Sequence, residues 1–388
     1  MARTRRSQGE KKMISIARGG ITQRRFIFLI AIAAVLIMAN STVLAAAEKN
    51  TDDSIRVAAV NPVSVLEEIA VYEGADRQQR LLAGAKKEGS LNLYATMILE
   101  HTTLIAEAFE KKYGIKVNIW RSSSENVLQR TITEAQGRRF NVDVVETNSP
   151  ELESLHREKL VQPVKSPYTA DLIPQAVPPH HEWVGARLNI FVQAYNTDKV
   201  KQEELPKSYE DLLDPRWKGR LGIEAANVDW FATLMKERGE EKGLALFKKL
   251  IATNGASVRK GHPLLISLVA SGEIPFALST YSYLIDRLKK EKAAPIEWFV
   301  IPPTIARVSG VAIARKAPHP HAALLFYDFM LSDVQPLLLK LDSIPASKKL
   351  ANYPAGMPMK FIDPVMVLDE QDKWVKLYEQ IVLQQGTK

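Results

Sequence analysis

Short apolar runs alternate with helix-type spacing between residues 75 and 160. Runs at 90–94, 115–120 and 141–145 are short and rich in β-formers, so they are predicted strands. The segments around them carry apolar residues at three- and four-residue spacing, which predicts helices, and Gly89 and Gly114 end two of these. Three strand–helix alternations predict a parallel α/β sheet with right-handed crossovers.

The alternation breaks at residues 161–182, which contain five prolines, and resumes as a second α/β pattern. Two apolar runs border this second pattern, at residues 188–195 and 308–315. We predict that these two strands carry the chain out of one lobe and back, so that they form a hinge beside a ligand cleft. The predicted division is lobe 1 from 75–190 and 308–388, and lobe 2 from 191–307.

The first 47 residues have the pattern of a secretory signal peptide. A basic region ends at Arg25, an apolar run follows to Met38, and small residues offer a cleavage site after Ala47. The apolar run of 13 residues is short for a membrane anchor, which needs about 20 residues. We therefore predict an exported protein, cleaved near Ala47, with residues 48–74 as a leader.

The positive charge of the chain is concentrated in the predicted signal peptide. The net charge is +8, and residues 1–47 hold eight basic side chains against one acidic one, so the rest is almost neutral. Such a balance gives no indication of a nucleic-acid partner. The chain has no cysteine, which excludes a disulfide framework, a cysteine nucleophile, cysteine metal ligands and a bacterial lipid anchor.

Several predicted helix starts follow predicted strands, where a parallel α/β sheet places its ligands. Unpaired backbone N–H groups and the helix dipole make such starts suitable for anions. Capping of the helix alone is the alternative for each of them. The starts are at 121–124, 146–149, 227–230 and 279–281.

Basic side chains near these starts add to the case for an anionic solute. Arg187 is the strongest candidate because it begins the first crossing strand, and arginine binds carboxylate or phosphate through paired hydrogen bonds. Arg259 is a further candidate, whereas Arg121 and Lys260 are better explained as members of surface ion pairs. Trp230 is a candidate for stacking on an organic ligand, with a place in the core as the alternative.

Five motifs of the chain, at 83–89, 109–115, 194–198, 211–219 and 316–329, carry a resemblance to a known family. The chain resembles the extracellular solute-binding proteins of bacterial ABC importers, in the branch that includes the iron(III)-binding proteins. The resemblance implies a type II periplasmic-binding-protein fold of two α/β lobes that close around a solute. It also implies an ABC permease in the inner membrane as partner.

Members of the iron branch coordinate Fe(III) through adjacent tyrosines, so the resemblance implies a metal role for Tyr281 and Tyr283. Here Ser282 separates the two, and positions two apart on a regular helix face different directions. Tyr94 and His101 are possible partners from the first lobe. The tyrosines are metal ligands only if the solute is ferric iron, which would be cargo, and no cofactor is expected.

These observations predict a monomeric periplasmic protein that captures either an organic anion, such as a phosphonate, phosphate ester or carboxylate, or ferric iron. No common catalytic motif is present, and the alternative is a periplasmic enzyme or a sensor-associated subunit on the same fold. The candidate ligand-binding residues are Tyr94, Thr96, Ser123, Ser124, Glu146, Thr147, Asn148, Arg187, Asn227, Asp229, Trp230, Tyr281 and Tyr283.

Overall fold

The computed structural model describes residues 62–350 and 358–384. The predicted signal peptide and most of the predicted leader lie outside these residues. The helices are α1 (Pro62–Ala70), α2 (Arg77–Glu88), α3 (Leu99–Tyr113), α4 (Ser124–Gln136), α5 (Ser149–Arg157), α6 (Val228–Glu237), α7 (Glu240–Asn254), α8 (His262–Ala270), α9 (Ser282–Lys292), α10 (Pro320–Leu331), α11 (Val334–Lys340), α12 (Pro364–Asp369) and α13 (Gln371–Tyr378).

Twelve strands form one sheet in this part of the chain. They are β1 (Ser90–Ala95), β2 (Lys116–Arg121), β3 (Val144–Asn148), β4 (Val161–Gln162), β5 (Val184–Asn196), β6 (Leu221–Glu224), β7 (Ser257–Arg259), β8 (Phe276–Tyr281), β9 (Ile296–Phe299), β10 (Thr304–Ala314), β11 (Ile344–Pro345) and β12 (Met359–Phe361). The main order is β2-β1-β3-β10-β5-β8-β6-β7, and the short strands β4, β9, β11 and β12 pair with β10 or β5. This is the mixed α/β class that the sequence pattern predicted.

The long strands β5 and β10 lie side by side in the middle of the sheet, antiparallel to each other. They contain the two apolar runs that the sequence analysis chose as crossing strands. On one side β10 pairs with β3, and on the other β5 pairs with β8. Both strands are buried along their whole length, so their polar residues, such as Arg187, Asn189 and Arg307, need partners inside the protein.

Two separate hydrophobic cores pack on this sheet. The first is built from residues 66–188 and 308–346, and the second mainly from residues 190–305. Strand β5 passes from the first core to the second at Asn189, and strand β10 passes back after Ala306. The two strands are therefore shared by both cores.

The carboxyl-terminal helices pack against the second core. Trp374 and Tyr378 of α13 are fully buried there, together with Ile381 and Val382. The sequence analysis placed residues 308–388 in lobe 1, and for these helices the structure gives a different packing. Apolar residues at helical spacing show that a helix has a buried face, but they do not show which core receives it.

The helix starts predicted at 121–124 and 146–149 are those of α4 and α5. Ser123 caps α4 and accepts a hydrogen bond from the Asn126 backbone N–H at 3.4 Å. Asn148 precedes α5, and Ser149 is its first residue. Gly89 and Gly114 end α2 and α3 in the left-handed conformation, as predicted.

No single helix within the described ranges has the length and hydropathy needed to cross a membrane. Helices α10 and α11 pass that test only as a pair, across a bend of 52°.

We expect Gly310→Ala to destabilise the protein by at least about 1–3 kcal/mol, because overpacking forces backbone shifts. Gly310 faces Gly185 where β10 crosses β5, and a Cβ atom at Gly310 would lie 1.8 Å from the Val184 carbonyl oxygen. Urea unfolding measures the loss. The control is Gly137→Ala, where the nearest atom would be 3.4 Å away and the change should lie within about 0.5 kcal/mol of zero.

Candidate ligand-binding cleft

A polar cleft opens between the two cores, at the point where β5 and β10 cross from one to the other. Its volume is about 170 Å³, which is enough for a few water molecules or one small solute. The lining residues are Thr96, Ile98, Arg121, Ser122, Ser123, Ser124, Glu125, Asn148, Arg187, Asn189, Glu224, Ala226, Asn227, Lys260, Gly261, His262, Pro263, Tyr281, Tyr283, Leu284 and Arg307. Four of these side chains are cationic and two are carboxylic.

Five helices begin at or beside the cleft. Four of them, α4, α5, α6 and α9, start at residues that the sequence analysis chose, namely Ser123, Asn148, Asn227 and Tyr281. Gly261 precedes the fifth, α8, whose start the sequence analysis had not chosen. Since these starts converge from both cores, backbone N–H groups and helix dipoles favour negative charge in the cleft.

Arg187 lies at the cleft with its guanidinium held by two neighbours. Its Nη2 donates to Glu146 Oε1 at 3.0 Å, and its Nη1 donates to Asn189. The second oxygen of Glu146 accepts from the backbone N–H groups of Thr96 and Met97 at 2.9 and 2.8 Å. The carboxylate therefore fixes the guanidinium in place, while the buried Nε of Arg187 has no hydrogen-bond partner in the described chain.

A polar chain links Arg187 to the first core. Asn189 donates to Ser309 at 3.0 Å, and Ser309 donates to Asn148 at 2.9 Å, so the chain passes from β5 through β10 to β3. All three side chains are buried. Buried polar groups with satisfied partners fix a single arrangement, and this chain therefore fixes the crossing strands relative to the start of α5.

Arg307 is the second buried arginine of the cleft, and the sequence analysis did not select it. Its Nη1 lies 3.0 Å from Asp229 Oδ2, but the N–H bond does not point at this oxygen, so the two form an ion pair without a hydrogen bond. Its Nη2 donates to the Tyr281 hydroxyl. Burial by itself would lower the pKa of Arg307, but Asp229 and Tyr281 outweigh burial and the pKa is raised. The guanidinium stays charged, and its Nε is also unpartnered among the described residues.

Tyr281 and Tyr283 both face the cleft, although only one residue separates them. Tyr281 is the last residue of β8 and Tyr283 is in the first turn of α9, so the two are not on one regular helix. Their rings are nearly parallel, with centroids 5.9 Å apart and planes at 13°. The chain changes from strand to helix between them, so the rule that positions two apart on a regular helix face different directions does not apply here.

Two histidines lie against these tyrosines. His262 packs on Tyr281 with ring centroids 4.0 Å apart, and His101 of α3 lies 6.2 Å from Tyr283. Burial lowers the pKa of each histidine, and neither Nδ1 has a partner within the described chain. Burial also raises the pKa of both tyrosines. A phenol that loses its proton to a metal provides a hard oxygen ligand, and a neutral imidazole is a nitrogen ligand that iron also accepts.

Eight of the thirteen predicted residues line the cleft: Thr96, Ser123, Ser124, Asn148, Arg187, Asn227, Tyr281 and Tyr283. Glu146 and Asp229 lie one layer behind, each beside an arginine. Thr147 is buried in β3 and does not line the cleft.

Tyr94 and Trp230 point elsewhere, and their predicted roles do not fit the structure. Tyr94 donates to Glu134 of α4 at 2.8 Å, which with burial raises its pKa to about 12. Its side chain does not line the cleft and lies against Arg130 of α4. Trp230 is buried in the second core, where it packs on Phe191 and Phe247.

A second cavity adjoins the cleft on the far side of Arg307, between α4, α5, α6 and the carboxyl-terminal helices. It contains Glu151, one of whose carboxylate oxygens has no hydrogen-bond partner in the described chain. Burial raises the pKa of Glu151 to about 7, with Asp229 adding to the rise and Arg307 opposing it. The protonation of Glu151 therefore changes near neutral pH.

Glu151→Gln is expected to make folding less sensitive to pH. The folded protein holds the Glu151 proton up to about pH 7, whereas the carboxyl of an unfolded chain ionises near 4.5. Stability is therefore lost as pH rises through this window, by at most about 3 kcal/mol at 1.36 kcal/mol per pKa unit. Urea unfolding at pH 5 and pH 8 should show a smaller difference in the variant. The exposed Glu158→Gln is the control, and an unchanged difference in Glu151→Gln would contradict the prediction.

Comparison with known proteins places this fold and cleft in a family. Residues 142–364, more than half of the chain, match the family model described as bacterial extracellular solute-binding protein. The chain belongs to this family. The matched residues include β5, β10 and most of the cleft, so the family assignment covers the site as well as the scaffold.

Named relatives of this solute-binding protein come from iron uptake. Iron uptake protein A1 of Synechocystis is 28% identical over 291 residues, covering 69% of this chain and 80% of that protein. The Fe(3+)-binding periplasmic protein of Serratia marcescens is 26% identical over 281 residues, covering 68% and 82%. These relatives are named as binding and uptake proteins, not as enzymes.

A solved structure supports the two-lobe fold class. Iron-bound HitA from Pseudomonas aeruginosa superposes with a TM-score of 0.67 at 27% identity, covering 75% of this chain and 99% of that one. The chain thus has the type II periplasmic-binding-protein fold that the sequence motifs implied.

Proposed function

We propose that this protein is the periplasmic solute-binding component of an ABC importer. A solute in the cleft touches residues of both cores at once, including Ser123 and Arg187 from the first and Tyr281 from the second. It therefore stabilises the closed arrangement by its differential affinity for that state. The membrane permease recognises the closed form and receives the solute from it. The protein acts as a monomer and carries out no chemical conversion.

The cargo is ferric iron held together with a small anion. The observation that carries this proposal is the parallel pair of Tyr281 and Tyr283 at the cleft, directly beside two buried arginines. Phenolate oxygen is a hard ligand that suits Fe(III). The arginines and the converging helix starts favour an anion, which would complete the coordination of the iron. The names of the Synechocystis and Serratia relatives support the choice of iron.

An organic anion without metal is the second candidate, and the arginines are the reason for it. Arg187 and Arg307 each keep a buried Nε with no partner in the described chain, and Arg121 and Lys260 stand at the rim. A phosphonate, phosphate ester or carboxylate would take up these donors. The volume of about 170 Å³ limits it to a small molecule.

Native mass spectrometry of the full-length protein, purified from the periplasm of iron-replete cells, tests the proposal. We expect an added mass of one iron and one small anion, lost together on reduction and chelation. An organic phosphate or carboxylate without iron would select the second candidate. A protein that binds neither Fe(III) with citrate or phosphate nor any organic anion would reject the function itself. Turnover of the bound molecule would instead indicate an enzyme.

A further inference from the structure

A second group of metal-ligand side chains lies outside the cleft. Among the described residues, Glu153, His156 and His180 bring one ligand atom each to within 4.8 Å of one another. Glu153 and His156 belong to α5, and His180 lies in the segment that leads into β5. None of the three lines the cleft. We refer to them as the α5 histidine cluster.

The rings of the two histidines are stacked, and a carboxylate accepts from each of them. Their centroids are 3.7 Å apart and their planes differ by 8°. His180 Nε2 lies 3.1 Å from Glu153 Oε2, and His156 Nδ1 lies 2.9 Å from Glu182 Oε2. Two stacked imidazoles cannot both be protonated without strong repulsion, so the pair provides at least one neutral ring at neutral pH.

The hydrogen bonds leave nitrogen atoms in the state that a metal needs. The Glu182 backbone N–H donates to His180 Nδ1 at 3.0 Å, so the proton of neutral His180 is on Nε2 and points to Glu153. A cation that replaces the Nε2 proton would be bound by His180 and Glu153 together.

Around these ligands is an outer layer of the kind that metal sites have. Glu182 holds His156 Nδ1, which leaves Nε2 for the metal, and Trp183 Nε1 donates to Glu153 Oε2 at 3.1 Å. A carboxylate behind a ligating histidine fixes the orientation of the ring and raises its basicity. Glu153 is 5% exposed, so it is unlike the acidic side chains that cluster on surfaces without function.

Charge and space decide whether an ion fits. Arg157 lies 3.8 Å from Glu153 Oε1 and Arg315 lies 3.4 Å from Glu182 Oε1, so each arginine occupies the carboxylate oxygen that faces away from the histidines. The cluster also lies in the last turns of α5, where the helix dipole favours a cation. A shared ion must lie near the plane of each ring, so the rings have to tilt apart. The side chain of His156, 28% exposed, has room to do so.

We propose that the α5 histidine cluster binds a divalent transition-metal ion, with Zn²⁺ as the best match. Two histidines and one carboxylate form a common zinc ligand set that leaves a fourth position for water. Imidazole also suits Co²⁺, Ni²⁺ and Cu²⁺, whereas Fe(III) prefers the oxygen ligands of the cleft. The bound ion ties α5, whose start faces the cleft, to the segment that enters the crossing strand β5.

Titration of the full-length protein, without a polyhistidine tag, with Co²⁺ tests this site. Co²⁺ takes the ligands of Zn²⁺ and absorbs visible light when four-coordinate. We expect visible bands that saturate at one equivalent, disappear on addition of Zn²⁺, and persist in Tyr281→Phe/Tyr283→Phe. Zn²⁺ should also raise the melting temperature, since it binds the folded state.

Three variants locate the ion. His156→Ala removes a partly exposed ring and should weaken Co²⁺ binding by more than about 100-fold, while Glu182→Gln should weaken it by about 10- to 100-fold, as outer-layer changes do. His321→Asn removes a comparably exposed histidine that pairs with Glu88, and it should change nothing. Bands that never appear, or that survive unchanged in His156→Ala, would overturn the proposal.

Discussion

Replacing both Tyr281 and Tyr283 with phenylalanine is expected to abolish Fe(III) binding and the visible phenolate-to-iron absorbance. Each single change should weaken Fe(III) affinity by more than about 100-fold, because loss of outer-layer groups alone costs 10- to 100-fold. Phenylalanine keeps the ring of Tyr281 between Phe191 and His262, so the second core is retained. The effect is therefore expected mainly in affinity and colour. Tyr281→Phe should also cost about 1–3 kcal/mol of stability, because the buried Arg307 Nη2 loses the hydroxyl to which it donates.

The matched control is Tyr195→Phe. Tyr195 is 6% exposed and packs against Phe299 in the same core, but it does not line the cleft. Titration with ferric citrate, followed by absorbance and by competition with a chelator, measures all variants. If the unmodified protein never develops the absorbance band, iron is not the cargo. If the double variant retains the band, other residues coordinate it.

Arg307→Met should have the largest effect on stability, about 3–5 kcal/mol. Arg307 is 6% exposed and lies between Asp229 and Tyr281. The negative charge of Glu151 also contributes to the raised pKa of Arg307. Removing one member of a buried ion pair leaves the other charge uncompensated, which is far more costly than removing both. Urea unfolding at pH 7 measures the loss.

The double change Arg307→Met/Asp229→Asn separates stability from ligand binding. Neutralising Asp229 removes the uncompensated charge, so we expect most of the lost stability to return. Affinity for the anion should stay low, because the guanidinium is still missing. Calorimetric titration with citrate and with ferric citrate measures this. Recovery of tight binding in the double variant would show that Arg307 supports the fold and does not contact the solute.

The sequence pattern predicted the scaffold well because the scaffold depends on local signals. Each of these signals lies in residues that are close together in the sequence. They are the alternation of strands and helices, the glycines that end helices, and the two apolar runs found in β5 and β10. The packing of α13 on the second core was not predictable in this way. An apolar face on a helix is satisfied by either core, and only the three-dimensional arrangement decides between them.

The sequence predicted those cleft residues that lie at the start of a helix or of a crossing strand. Ser123, Asn148, Asn227 and Tyr281 were found because each lies where a strand ends and a helix begins, and Arg187 was found because it begins the apolar run of a crossing strand. Arg307 bears the same relation to the apolar run at 308–315, and the same reasoning could have identified it. Tyr94 was misplaced because its hydroxyl meets Glu134 of α4, and the sequence does not show which side of β1 this helix covers. His262 begins α8 directly after β7, so the same signal was present for it but was not used.

Each core is assembled from pieces that are far apart in the chain, and this affects how the protein is made. The first core needs residues as late as 346, and the second needs residues as late as 382. A polypeptide that emerges from a translocation channel with its amino end first has neither core complete until nearly all of it is across. On the predicted export route, the mature fold is therefore completed only when nearly the whole chain has crossed. Until then β5 and β10 lack their partners and are exposed to aggregation.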